Sequence, residues 1–173
     1  MNSTSQEKAD LPADEALGVL ESVARFNAAM PTGLTMSHQG RIFVNFPFTV
    51  SEIRDGGEKM VAYPDEATNQ SNPNDPAAAL VSVQSVVVDP ADRLWILDTG
   101  SPMFQPTRYG GPKLVCVDLA TNKIIKKILF PQDVALPTTY LNDVRFDLRR
   151  GSQGMAFITD SAQNGPNGIL LWI

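Results

Sequence analysis

Apolar and polar residues alternate in short runs along this chain, and three of these runs follow one order. Each begins at a small or amide residue, passes through an alternating strand, a polar turn and a second apolar strand, and reaches an Asn or Asp. The three runs are 32–46 (TGLTMSHQGRIFVNF), 84–99 (QSVVVDPADRLWILDT) and 142–160 (NDVRFDLRRGSQGMAFITD). Anchored at Met36, Val88 and Phe146, they lie 52 and 58 residues apart, a spacing typical of a repeated supersecondary unit.

The alternation predicts strands grouped into three successive sheets. In the first unit they are predicted at 34–37, 41–46, 48–53 and 59–63; in the second at 85–89, 94–97, 114–118 and 123–130; in the third at 143–147, 155–159 and 168–173. Four-stranded antiparallel sheets repeated around an axis form a β-propeller. We therefore predict an all-β fold, an incomplete propeller over 17–173. Its blades cover about 32–63, 84–130 and 142–173, and the third lacks its outer strand.

The beginning of the chain carries a weaker pattern. Residues 1–16 are polar and predicted to be flexible, and they lack the basic and apolar regions of a secretory signal. The following segment, 17–26 (LGVLESVARF), fits both a helical stripe and a strand. The propeller context favours a strand.

Two stretches between the predicted strands are predicted to be loops. The segment 64–76 is rich in turn residues and predicts a surface loop. The segment 99–112 holds three prolines and three glycines. Long ordered loops often carry function, so this one is either a lid or rim for a site or a plain insertion.

Composition excludes several classes of function. The chain has 43% hydrophobic and 19% charged residues, which is ordinary for a globular protein. Its net charge of −5, with scattered basic residues, argues against a nucleic-acid partner. The densest basic stretch, 123–127 (KIIKK), is predicted to be a solvated strand face. No run of about 18 apolar residues occurs, so we predict no transmembrane helix and no membrane partner.

The single cysteine and single histidine also limit the chemistry. Cys116 lies in an alternating strand and is predicted to be a buried apolar side chain rather than a nucleophile. His38 lies in a predicted exposed turn, which disfavours Ser or Cys triads and multi-histidine zinc sites.

Several successive motifs resemble one known family. They are MPTGLTMSHQGRIFVNFP, SVQSVVVDPADRLWILDTGSP, GPKLVCVDLATNKIIKKILFP, YLNDVRFDLRRG and AFITDSAQNGPNGILLWI. In this order they closely resemble the major royal jelly protein/Yellow family, especially its microbial members, over residues 18–173.

The resemblance implies a six-bladed propeller, of which this sequence covers about half. It also implies that 20–26 is the outer strand that completes the last blade. Family members are typically secreted, which suggests an extracellular protein; the missing signal leaves a cytoplasmic location as the alternative. An incomplete ring would depend on self-association or on the missing half of the propeller.

Polar residues at strand ends form the candidate site. In an antiparallel blade, the start of the first strand lies beside the end of the second. The candidate ligand-binding residues are therefore Gln84, Asp98, Asn142, Asp143 and Asp160, which would share one propeller face with Asn45. Asp and Asn at strand ends also commonly bond neighbouring backbone amides, and this structural alternative stays open.

A divalent metal, calcium or another cation, is a further expectation. Calcium prefers oxygen ligands, and gluconolactonase-type propellers hold a divalent metal at the tunnel mouth. Asn142 in LNDVRFD resembles one of their Asn ligands. Where those enzymes have a Glu, this chain has Pro31, Thr32 and Gly33, so the metal set implied by the resemblance is incomplete.

Other conspicuous residues receive structural interpretations. Asp89 and Asp147, at the far ends of the first strands, are predicted to form turns. Trp95 alternates within LWIL and is predicted to pack between blades. Trp172 is expected to lack part of its packing surroundings.

Three functions remain open at this stage. The first is a propeller that binds a small molecule, such as an aromatic amine, in its axial channel. The second is an enzyme, either a metal-dependent lactonase or an isomerase of the Yellow type. The third is an inactive fragment of a longer propeller protein.

Overall fold

A computed structural model describes residues 18–152 and 154–173, and its strands form three consecutive antiparallel sheets. Blade 1 contains β1 (Gly33–Met36), β2 (Ile42–Phe46), β3 (Thr49–Arg54) and β4 (Lys59–Ala62); blade 2 contains β5 (Val83–Val88), β6 (Arg93–Asp98), β7 (Lys113–Asp118) and β8 (Lys123–Leu129); blade 3 contains β9 (Leu141–Asp147), β10 (Met155–Asp160) and β11 (Gly168–Trp172). Within each sheet the strands follow their chain order. The predicted partial β-propeller is confirmed.

The first strand of each blade lies innermost. β1 contacts β5, and β5 contacts β9, so these three strands stand side by side around a common groove. The other strands of each blade continue outward in order. We call the space in front of β1, β5 and β9 the axial groove.

Two apolar cores lie between the blades, and β6 contributes to both. Leu94 and Ile96 belong to the core shared with blade 1, whereas Trp95 and Leu97 belong to the core shared with blade 3. Alternate residues of a strand point to opposite faces. A strand that is buried on both faces therefore needs the unbroken apolar run seen at these four positions.

Trp95 packs between blades, as predicted. Its side chain is buried, its ring centroid lies 4.7 Å from that of Phe146, and its Nε1 donates to Asp89 Oδ2 at 2.8 Å. Trp172 packs partly against this core and is only half-buried, with Lys126 Nζ 4.7 Å from its ring centroid, so its incomplete packing stays a prediction.

The turns from the first to the second strand of blades 2 and 3 are built on Asp side chains. Asp89 Oδ1 accepts hydrogen bonds from the N–H groups of Ala91 and Arg93, and Asp147 Oδ1 accepts one from Arg149 N–H. Both predicted turn formers are confirmed. Such bonds satisfy turn amides that the strand ladder leaves unpaired.

Cys116 and His38 occupy the environments that the sequence predicts. Cys116 is buried in the core between blades 2 and 3, and burial raises the pKa of its thiol to about 11. The His38 side chain is 67% exposed, with its Nδ1 3.0 Å from Asp92 Oδ1. Neither residue lines the axial groove.

The segment predicted as an N-terminal strand differs from the expectation. Residues 19–26 are not part of any sheet, and Val19 and Leu20 are almost fully exposed. A strand requires a neighbouring backbone for its hydrogen bonds, and no described strand pairs with this segment. Phe26 holds its end against blade 1, with ring centroids 5.5 Å from Phe46. The predicted flexible segment 1–16 lies outside the described residues.

The 64–76 segment is mainly loop, and it contains a short helix α1 (Glu66–Asn69). Asp65 caps this helix by accepting a hydrogen bond from Thr68 N–H at 2.7 Å. In the described part of the chain, no helix has the length and apolar character needed to span a membrane.

Candidate functional site

The axial groove encloses a cavity of about 510 Å³ between the three innermost strands. Its lining residues are Thr32, Gly33, Leu34, Thr35, Gln84, Ser85, Val86, Val87, Asn142, Asp143 and Arg145. Three of the predicted site residues, Gln84, Asn142 and Asp143, are therefore brought together here. This volume lies within the roughly 300–1,000 Å³ typical of small-molecule pockets.

Gln84 enters the groove through an irregularity in β5. Val83 pairs with Asp98 and Ser85 pairs with Leu97, so Gln84 is an extra residue without a partner on β6. A β-bulge of this kind turns a side chain out of the regular alternation while pairing continues on both sides.

Asn142 reaches the groove by the same device in blade 3. Leu141 pairs with Asp160 and Asp143 pairs with Thr159, which leaves Asn142 as the extra residue of β9. The two bulges occupy equivalent positions, at the start of the first strand in blades 2 and 3. They present two amide side chains to one cavity.

Blade 1 contributes differently because its ladder is regular. Gly33 pairs with Asn45 and Leu34 pairs with Val44, with no extra residue between them. The wall from this blade therefore carries an exposed apolar side chain, Leu34, in place of an amide.

Asp143 and Arg145 form a charged pair on the groove wall. Asp143 Oδ1 lies 2.7 Å from Arg145 Nη1 and accepts hydrogen bonds from Ser85 Oγ at 2.8 Å and Val144 N–H at 2.8 Å. The Ser85 bond joins blade 2 to blade 3. The side chains of Asp143 and Arg145 are 41% and 70% exposed, so both remain accessible from the groove.

Asp98, in contrast, lies away from the groove, and its oxygens are fully engaged by the protein. Oδ2 accepts from Val81 N–H at 2.7 Å, and Oδ1 accepts from the N–H groups of Ser82 and Gly100, each at 2.9 Å. The side chain is completely buried, and Lys113 Nζ lies 2.8 Å away. This geometry corrects the predicted ligand role, because it leaves no exposed oxygen for a ligand.

Asp160 makes the corresponding contacts in blade 3. It accepts from Thr139 Oγ1 at 2.9 Å, Tyr140 N–H at 2.9 Å and Ala162 N–H at 3.0 Å. It is buried and does not line the groove. Its predicted ligand role is corrected in the same way: Asp160, like Asp98, fastens the segment that enters a blade to the end of that blade's second strand.

Asn45 completes this series in blade 1. Its Nδ2 donates to Thr32 Oγ1 at 2.7 Å, so it too ties the entering segment to β2. The structural alternative, in which polar strand ends bond their neighbours, thus accounts for Asn45, Asp98 and Asp160. In all three blades the end of the second strand thus stays outside the groove lining, and in blades 2 and 3 the bulged residues Gln84 and Asn142 line the groove instead.

Lys113 is a buried residue that the sequence analysis missed. It is 1% exposed, and its Nζ donates to the carbonyl oxygens of Pro76 at 2.9 Å and Gly111 at 3.0 Å besides contacting Asp98. Burial lowers the pKa of Lys113, and Asp98 partly opposes that shift. The signal in the sequence was a lysine at the start of the apolar run KLVCVDL.

The residues present offer little to a metal ion. Within residues 18–152 and 154–173, no three His, Cys, Asp or Glu side chains are grouped to hold one. Asn142 and Asp143 line the groove, but the Arg145 guanidinium already neutralises the Asp143 carboxylate. The calcium site stays a prediction, and Arg145 counts against it.

A family model described as major royal jelly protein matches residues 81–170. The chain belongs to the major royal jelly protein family. It is 30% identical over 126 residues to major royal jelly protein 1 of Apis mellifera, covering 66% of this chain and 27% of that protein. It is 32% identical over 148 residues to L-dopachrome tautomerase yellow-f of Drosophila melanogaster, covering 76% of this chain and 34% of that protein. The chain thus spans about a quarter to a third of the length of these curated relatives.

Solved structures with a similar backbone include two bacterial proteins. A protein of unknown function from Bacteroides caccae gives a TM-score of 0.47 at 10% identity, covering 84% of this chain and 47% of that chain. Virginiamycin B lyase from Staphylococcus aureus gives a TM-score of 0.44 at 16% identity, covering 80% of this chain and 40% of that chain.

Proposed function

We propose that the axial groove of this royal jelly family propeller binds a small organic molecule. The observation that carries the proposal is the pair of equivalent bulges that turn Gln84 and Asn142 toward one cavity. Bulges are over-represented beside active sites, where they re-aim a side chain.

The groove lining indicates the character of the ligand. Gln84 and Asn142 each offer a donor and an acceptor, whereas Leu34 and Val87 offer an apolar surface. Asp143 and Arg145 provide one charge of each sign. A small ring compound with an amine or carboxylate substituent fits this mixture, which is compatible with the aromatic amines that the resemblance to the Yellow family implies.

An isomerase of the Yellow type is the second candidate. It is supported by family membership and by the relative named L-dopachrome tautomerase yellow-f. In this interpretation Asp143, the carboxylate that lines the groove, would accept or donate the proton that an isomerisation moves. A metal-dependent lactonase has less support, because the groove offers one carboxylate that is already paired. We also propose an extracellular location for this protein, which its family membership suggests.

Calorimetric titration with tyramine, a small aromatic amine, tests binding. We expect saturable binding by the wild type and at least about a tenfold loss of affinity, or about 1.4 kcal/mol, in Gln84→Ala/Asn142→Ala. Gln39→Ala, in an exposed turn outside the groove, is the matched control. Equal affinity in the double variant and the wild type would refute the groove as the binding site.

The isomerase candidate needs a separate measurement. The loss of dopachrome colour is followed with wild type and with Asp143→Asn, against the spontaneous reaction. Acceleration by wild type that disappears in the variant supports an isomerase. A rate equal to the spontaneous one removes that candidate and leaves the binding proposal to the titration.

A further inference from the structure

A second cavity, of about 180 Å³, lies outside the axial groove and shares no residue with it. We call it the rim pocket. Its lining residues are Ser101, Phe104, Gln105, Pro106, Pro137, Thr138, Tyr140, Gln163 and Asn164. They come from three connections, β6 to β7, β8 to β9 and β10 to β11. The long 99–112 segment therefore forms one wall of a cavity, as the predicted rim requires.

The wall that carries Phe104 is strained. Met103 and Phe104 have φ angles of 51° and 60°, in the left-handed region that bulky residues rarely adopt. Such conformations are energetically costly and cluster at functional sites, where the surrounding structure enforces them. Here Phe104 N–H donates to Ser101 O, and Ser101 Oγ donates to Gln105 O at 2.7 Å.

The strained turn does not bury the aromatic ring that it orients. Phe104 stacks on Tyr140 with centroids 4.7 Å apart and planes at 22°, yet Phe104 remains 69% exposed. A ring held in a costly conformation without being buried gains little for the fold. Its position is better explained by something that packs on it from solvent.

The pocket is held in shape by bonds between its walls. Thr107 N–H donates to Pro137 O at 3.0 Å, and Thr107 Oγ1 donates to Leu136 O at 2.8 Å. Ser161 N–H donates to Tyr140 O at 3.0 Å, which ties the third connection to the second. The three walls are thus linked to one another before any ligand arrives.

The chemistry of the lining identifies a class of ligand. None of the described residues that line the pocket carries a charge. Exposed amides of Gln105, Gln163 and Asn164 offer donors and acceptors together, as a hydroxyl group requires. The Phe104 ring, stacked on Tyr140 and 69% exposed, offers a face that attracts the polarised C–H groups of a saturated ring. The volume is below the roughly 300–1,000 Å³ of drug-sized pockets and suits one ring.

We propose that the rim pocket binds one neutral hexose unit of a carbohydrate. The sugar would pack its C–H face on the exposed Phe104 ring, which Tyr140 supports by stacking, and its hydroxyl groups would bond the three amides. This inference does not depend on the ligand of the axial groove, since the two cavities share no residue.

Saturation-transfer NMR tests the proposal with the methyl glycosides of glucose, mannose and galactose. Each is titrated to about 50 mM, so that a Kd weaker than about 1 mM can still be measured. We expect saturable binding of at least one glycoside. Phe104→Ala and Gln163→Ala, on different walls, should each weaken it at least about tenfold. Met103→Ala, in the same turn but outside the lining, should leave it within about twofold.

The other outcomes are decisive as well. No saturable binding of any neutral glycoside overturns the proposal, as does binding that Phe104→Ala and Gln163→Ala leave unchanged. Binding of phenol but not of sugars overturns the ligand class. Asn142→Ala, in the axial groove, should retain glycoside binding, so failure of the groove proposal is distinguishable from failure of this one.

Discussion

Lys113 Nζ lies 2.8 Å from Asp98 Oδ2, and both side chains are almost completely buried. This ion pair lies at the end of β6, where the Asp98 carboxylate also accepts hydrogen bonds from three backbone N–H groups. A buried charge that loses its partner is costly, whereas an intact buried pair adds little net stability. Removing one partner should therefore lower the stability of the fold by more than the intact pair raises it.

The first prediction follows from that asymmetry. Lys113→Met should lower the free energy of unfolding by about 3–5 kcal/mol, because it leaves the Asp98 carboxylate buried without a cation. Urea unfolding measures the loss. Lys59→Met, at an exposed position on β4, is the control and should change stability by less than about 0.5 kcal/mol. A loss below about 1 kcal/mol in Lys113→Met would contradict the assignment.

The second prediction concerns the acid sensitivity of Glu52, which is buried in blade 1. Burial alone would raise the pKa of Glu52, but hydrogen bonds from Arg41 and Arg54 outweigh it and hold the pKa below the ordinary 4.5. Between the folded and unfolded pKa values, the unfolded chain binds more protons. The contribution of Glu52 is therefore complete above about pH 4.5 and is lost as the pH falls through the folded value.

Urea unfolding between pH 6 and about pH 3 measures this dependence. Glu52→Gln should show a smaller drop in unfolding free energy than wild type over that window. Glu58→Gln, at an exposed position, should retain the wild-type drop. Identical slopes for wild type and Glu52→Gln would exclude Glu52 as a source of acid sensitivity.

The third prediction is that Cys116 is unreactive in the folded protein. Its thiol is 1% exposed and its pKa is raised to about 11 by burial, and the thiolate is the reactive species. At pH 8, Ellman's reagent should therefore modify Cys116 only at the rate of unfolding. Rapid modification of the native protein, equal to that in denaturant, would show that the site opens without unfolding.

The fourth prediction concerns the exposed apolar face of blade 3. Ile169 and Leu171 on β11 are 70% and 50% exposed beside Phe157, and exposed apolar sheet surface promotes association. Light scattering after gel filtration should show a mass that rises with concentration. Leu171→Lys should reduce that rise, whereas Ile125→Lys, on the solvated face of β8, should not. A constant monomer mass for the wild type would refute this prediction.

Strand pairing was largely predictable from the sequence. In β7, for example, alternate residues are predicted to face opposite sides of the sheet. In the structure Val115 and Val117 lie in the core between blades 1 and 2, and Leu114 and Cys116 lie in the core between blades 2 and 3. Tertiary packing agrees with local pattern there, because each face of the strand is buried against a neighbouring blade. The prediction of a strand at 20–26 failed. It rested on the resemblance to the family, and no described strand pairs with this segment.

The candidate site was predictable only in part. Gln84, Asn142 and Asp143 were found because polar residues stand at the start of first strands, but no pattern in the sequence indicates that the ladder gains a residue there. Nor does the sequence reveal that the ends of the second strands, Asn45, Asp98 and Asp160, turn away from the groove to bond their neighbours. Arg145 was missed because its charge becomes relevant only through its contact with Asp143.

The two bulges have a consequence for how this propeller can change. Each groove amide sits on a residue that the ladder does not pair, while the residues on either side keep their partners and their places in the cores between blades. Substitution at Gln84 or Asn142 can therefore change the lining of the groove without disturbing the packing that holds the blades together. The residues that line the groove and the residues that hold the blades together thus lie at separate positions of the same strand.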